Sequence, residues 1–199
     1  NERLTGSNVE LLRDIYKRAD IPFPEVEIYP WVRAYDIAKN TPDTLIFAMV
    51  RTAWREPDFV WVGHMATTKY YLYKLKSNQS VALANIQDAR KYVLAVVKEA
   101  FAHEYFVSKG YVPGENFLTL SDYDTVEKLF FNGKLDLMVS SERFMHYQAG
   151  KHGYDANLVE PAFALDELTV DYYLAAHPET DQMLIKALQN HWPKQPLQY

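Results

Sequence analysis

Strand-like and helix-like stretches alternate along this chain of 199 residues, and the series restarts after a polar break, KSNQS, at 76–80. Alternation of that kind is closed by crossover connections, so it commits a chain to α/β architecture with parallel strands. In the first series, Ser7-x-x-Glu10 is spaced as a capping box, and Val9, Leu12, Ile15, Tyr16 and Ala19 share one helical face. Residues 25–29 alternate with Val26 and Ile28 on one side, and Pro30 opens a helix in WVRAYDIAK. The apolar run 44–50 has strand length and suits a parallel strand covered on both faces; 68–76 is a further strand. In the second series Asn85 caps a short helix, and 92–97, 116–120 and 135–139 are strands. Helices at 100–109, 122–132 and 142–149 stop at Gly110, Gly133 and Gly150, with Ser121 capping the second. Strands at 158–165 and 170–175 and a helix at 180–191 complete the chain, with Pro193 and Pro196 blocking extension. Two clusters of strands, before and after the break, fit better than one sheet.

Composition narrows the chemistry. The formal net charge is −5, which argues against nucleic acid and anionic membrane surfaces as partners. No apolar run reaches roughly 18 residues, so no transmembrane helix is expected. Cysteine is absent, excluding thiol nucleophiles, cysteine-ligated metal and disulfides. Aromatic residues make up 15% of the chain, a composition that serves both core packing and a ring-lined ligand site.

Phosphate-loop, nucleophile-elbow and H-E-x-x-H patterns are missing. His103–Glu104 is half of a zinc motif, and the six histidines show no ligand spacing, so neither a metal, a cofactor nor a catalytic residue is expected. Ser140 and Ser141 end a strand and lead a helix, where they serve as a simple cap or hold an anion. The most informative segment is FAMVRTAWREPDFVWVGHM, at 47–65. A buried strand ends there with Arg51 and Arg55, and Thr52 can cap the turn between them. A guanidinium at the C-terminal edge of a parallel strand suits a carboxylate ligand. A salt bridge to Glu56 or Asp58 is the structural alternative. Arg33 is a second candidate cation, and Trp31, Trp54 and Trp61 are candidates for an apolar wall.

TAWREPDF at 52–59 resembles the T-[PE]-x-R-x-x-x-[IV]-x-F signature of family 3 extracellular solute-binding proteins, the capture components of polar-amino-acid ABC importers. LTGSNVELLRDIYKRA at 4–19 is similar to that family's entry to its first helix, and NGKLDLMVSSE at 132–142 to a strand of its second lobe. The segment 173–176 and the last helix resemble its return to the first lobe. The resemblance implies a two-lobed, periplasmic-binding-protein-like α/β fold of type II, with a mostly parallel sheet in each lobe and a ligand cleft between lobes. Lobe 1 would span 1–75 plus 170–199 and lobe 2 would span 76–169, with hinges near 73–76 and 164–169. It also implies a periplasmic monomer that binds a small molecule and hands it to a membrane permease.

Under the resemblance Arg55 grips the ligand carboxylate. Ser141 stands where amino-acid binders carry an Asp for the ammonium group. Lys98, Glu99 and Ala100 stand where Thr or Ser is usual, and Glu99 is a substitute ammonium partner. An amino acid, a related carboxylate and another polar solute all remain open. Only NER precedes the family's first helix here, whereas family members begin with a strand and an aromatic loop. The expectation is therefore a longer precursor supplying that strand and a signal peptide. A sensor domain and a dehydratase-like enzyme with Glu99, Glu104 or Glu142 as acid or base are the rival readings.

Overall fold

A computed structural model describes residues 4–115 and 117–198; Asn116, the expected first residue of one strand, lies outside the described residues. The elements are α1 (Ser7–Arg18), α2 (Trp31–Asn40), β1 (Leu45–Val50), β2 (Val60–Leu75), β3 (Leu94–Val97), α3 (Phe101–Ser108), β4 (Leu118–Leu120), α4 (Tyr123–Phe131), β5 (Leu137–Ser140), α5 (Glu142–His152), β6 (Val159–Ala176), α6 (Gln182–Asn190) and β7 (Leu197–Gln198). A 3₁₀ turn, Ile86–Lys91, precedes β3. The chain divides into two compact units, Asn1–Thr68 with Val170–Tyr199, and Lys69–Thr169. The long strands β2 and β6 each contribute residues to both, so pairing runs on as one seven-stranded sheet in the order β1-β6-β2-β5-β3-β4, with β7 on β2, where two separate sheets were expected.

In the first unit, β1 pairs antiparallel with β6 through Ile46↔Ala175 and Met49↔Tyr173, and β7 joins β2 in parallel at Ala66↔Leu197. Leu12, Ile15 and Tyr16 of α1 and Ile185 and Leu188 of α6 pack with Val62, Met65 and Leu174 into one core. A second core gathers Ala38, Ile46, Met49, Phe59 and Ala175, with Trp31, Tyr35 and Trp61 against it. Ile46 and Met49 are three residues apart and would face opposite sides of a regular strand. The register shifts between them, and Ala48 takes φ 56. This bulge turns both side chains onto the core that α2 covers.

In the second unit, β3 pairs in parallel with both β5 and β4, and β5 pairs antiparallel with β2. All four residues of β3 are buried. Parallel neighbours joined through α3 and α4 bring the C-terminal ends of β3, β4 and β5 to one edge.

Several local expectations are corrected. Residues 25–29 form no strand, and Ile28 is 75% exposed. Gly6, at φ 128, caps α1 without a side-chain hydrogen bond, so Ser7 is already helical and the capping box does not form. Asp122, not Ser121, caps α4 by accepting from the Thr125 N–H. α5 continues through Gly150 to His152 and ends at Gly153, whose φ of 72 supplies the left-handed turn. The run 44–50 pairs antiparallel rather than parallel: an apolar run reports burial, not the direction of its neighbour. The expected strands 158–165 and 170–175 are one continuous strand, and 68–76 is the second half of β2.

Candidate functional site

The turn after β1 is held by its own backbone: the Arg55 N–H donates to the Thr52 carbonyl and the Asp58 N–H to the Arg55 carbonyl. Its two arginines part company there. Arg55 is buried, 1% exposed, and its Nη1 donates to the Val50 carbonyl at 2.9 Å. Its guanidinium carbon lies 5.3 Å from the ring centroids of both Trp31 and Tyr35. Arg51 is exposed and makes a two-pronged pair with Glu56, Nε to Oε1 at 2.6 Å and Nη2 to Oε2 at 3.1 Å. Its guanidinium carbon lies 5.3 Å from Trp61 and 5.4 Å from Tyr173. The Arg51 hydrogen bonds hold the Glu56 carboxyl below its ordinary pKa, and Glu56 raises that of Arg51. Of the two acidic residues weighed as salt-bridge partners, Glu56 pairs with Arg51 and Asp58 with Lys39.

These contacts belong to one aromatic series. Trp31, Tyr35, Phe59, Trp61, Tyr173 and His64 follow one another at centroid separations of 5.8, 5.7, 6.2, 5.6 and 5.0 Å. His64 stacks on Tyr173, and its Nε2 sits 3.2 Å from Asp171 Oδ1, to which the Thr67 hydroxyl also donates at 2.6 Å. Cations over ring faces are attracted by the ring quadrupole, so each arginine is doubly seated. The Trp31 indole N–H is enclosed with no hydrogen-bond partner among the described residues. Thr52 is half-buried in the same turn. Arg33 is exposed, over the Tyr29 ring at 4.6 Å, and Trp54 is 59% exposed. Sequence reasoning did not single out Tyr35, Phe59, Tyr173 or His64. The alternation Phe59, Trp61 was the available signal, since it puts both rings on one strand face.

In the second unit, Glu99 follows β3 at φ 60 and stands just before the N-terminus of α3; Lys98 Nζ lies 3.7 Å from its carboxylate. Ser140 is buried at the end of β5 and its hydroxyl donates to the Ser141 carbonyl. Ser141 caps α5 by accepting from the Phe144 N–H at 3.3 Å. Because β3 and β5 are parallel neighbours, Glu99, Ser140 and Ser141 share the C-terminal strand edge, where two helix N-termini favour an anion. Glu142 is exposed in the first turn of α5, and its charge, after burial, helps push the Tyr73 phenol up to about 12. Glu104 is half-buried on α3.

No protein-family model matches the chain, and no curated protein matches it. Solved structures do. A histidine kinase sensor domain with similarity to periplasmic binding proteins superposes with a TM-score of 0.80 at 16% identity, over 94% of this chain and 78% of that one. ArtJ, the arginine-, lysine- and histidine-binding protein of Geobacillus stearothermophilus, gives 0.77 at 12% identity, over 96% and 79%. An ancestral arginine-binding protein bound to arginine gives 0.76 at 14% identity, over 96% and 83%. At such identities the likeness is one of architecture. The chain has a periplasmic-binding-protein-like α/β fold.

Proposed function

We propose that this protein is an extracytoplasmic solute-binding module for a small polar solute bearing a carboxylate, an amino acid or a related compound. The observation that carries the reading is the exposed Arg51 guanidinium, seated over Trp61 and Tyr173 just past the end of β1, in a chain of this fold. A planar guanidinium already engaged by the Glu56 carboxylate has the geometry to take a ligand carboxylate in its place. Arg55, enclosed beneath the same turn, holds that turn in place, and Thr52 offers a hydroxyl beside it. In the second unit Glu99, Ser140 and Ser141 supply an ammonium partner and a helix N-terminus.

Capture is accompanied by bending in β2 and β6, the strands that both units share. The loaded form is then handed to the membrane permease of an ABC importer from the periplasm, as a monomer. One neighbour concerns glutathione import through a cystine ABC importer, which supports the transport reading. The sensor domain at TM-score 0.80 favours a second reading, ligand sensing by the same module. In both readings the neighbours are binding proteins and sensors, and no step of chemistry is assigned to Glu99, Glu104 or Glu142.

The test is native mass spectrometry of the purified protein, with denaturation to release and identify a co-purified solute. Calorimetric titration of that solute into wild type and Arg51→Ala follows. A loss of at least about tenfold is expected, or about 1.4 kcal/mol. Equal affinities would remove Arg51 from the site.

A further inference from the structure

A second cluster lies entirely within the second unit. Asp124 and Glu127 stand three residues apart on one face of α4, and His152 is the last residue of α5. One donor atom from each falls within 4.8 Å of the other two. His152 Nε2 is 3.3 Å from Asp124 Oδ1 and 3.5 Å from Glu127 Oε2. An ion with bonds of about 2.1 Å in tetrahedral geometry separates its ligand atoms by about 3.4 Å.

Glu127 supplies the independent observation. It is 2% exposed, and its Oε2 is enclosed with no hydrogen-bond partner among the described residues, the His152 imidazole standing off at 3.5 Å. The other oxygen accepts from Gln148 Nε2 at 2.5 Å, one helical turn before His152 on α5. Gln148 thereby fixes the rotation of the carboxylate and leaves Oε2 facing the imidazole. A buried carboxylate oxygen without a donor is costly, and such groups call for an explanation. We propose that Asp124, Glu127 and His152 bind a divalent transition-metal ion of the zinc type, with a water completing the coordination. The imidazole excludes a magnesium- or calcium-like oxygen cage, and the mixed nitrogen and oxygen set suits zinc, cobalt or nickel. Lys151 Nζ, at 2.9 and 3.3 Å from the two Asp124 oxygens, is a built-in competitor that the ion must displace.

The experiment is calorimetric titration of Zn²⁺ alone into the full chain after chelator treatment. One equivalent should bind with a dissociation constant of about 10 µM or tighter. Glu127→Gln and His152→Asn should each weaken binding by at least about tenfold, while His103→Asn leaves it unchanged. Lys151→Gln should tighten it, an effect that a merely structural cluster would not show. Should the ligand variants fail to fold, nitrogen NMR of the imidazoles in wild type decides, since His152 must be the ring that Zn²⁺ shifts. Absence of one-to-one binding at about 100 µM Zn²⁺, unchanged affinity in both ligand variants, or an unmoved His152 ring would each overturn the site.

Discussion

Arg55 reaches back five residues to donate to the carbonyl of Val50, so the turn after β1 is tied to the last residue of the strand it leaves. The tie is buried, and the same guanidinium lies over Trp31 and Tyr35 of α2. One side chain therefore joins strand, turn and helix.

Arg55→Ala is expected to destabilise the fold by about 2–3 kcal/mol. It removes a buried charge-assisted hydrogen bond and leaves a void against two rings. Arg55→Lys keeps the charge and loses the planar fork, and should recover only part of that. Urea unfolding of the three proteins checks this. A loss under about 0.5 kcal/mol would be that of a surface residue.

Glu56→Gln should leave the melting temperature nearly unchanged, because the pair with Arg51 is exposed at both ends. On the proposed function it should raise affinity for an anionic solute, since it removes the carboxylate already on Arg51. Titration of the released solute into this variant is the measurement, and a lower affinity would count against Arg51 as the anchor.

Gly63 lies under the indole of Trp192. A Cβ there would come within 2.0 Å of the ring, and the Trp192 N–H donates to the His64 carbonyl at 2.7 Å. Gly63→Ala should displace Trp192 and cost about 1–3 kcal/mol. Denaturant midpoints and red-shifted tryptophan emission report both effects; an unshifted spectrum with an unchanged midpoint would place the indole elsewhere.

Burial pushes the His103 pKa below its ordinary value, assisted by Lys98 and opposed by Glu99. The unfolded chain takes up this proton first, so the contribution to stability is whole above about pH 6.5. It is lost as the pH falls through that value towards the depressed one. His103→Phe keeps a ring against Phe117 and cannot titrate. Its stability should decline less than that of wild type between about pH 7.5 and 5.5. Parallel unfolding profiles would sink the assignment.

Local pattern determined much of this protein. The stripe Val9, Leu12, Ile15 and Tyr16 is buried, Asn85 forms its capping box, and Gly110 and Gly133 end their helices at positive φ. Each is decided within a few residues, by helical spacing or by one backbone conformation. The arginine-bearing turn after a buried strand was equally legible. What lay beyond the sequence was the direction in which each side chain of that turn points. The turn has no period, so packing against Trp31, Tyr35 and Val50 sends Arg55 inward and leaves Arg51 outside. The antiparallel partner of β1 comes from β6, more than a hundred residues later, and nothing in a run of apolar residues encodes it. The same holds for His152, which the helical continuation past Gly150 carries to Asp124, 28 residues away along the chain. Spacing among the histidines could not reveal that meeting, because its partners are carboxylates on another helix, and only the packing of α4 and α5 brings them together.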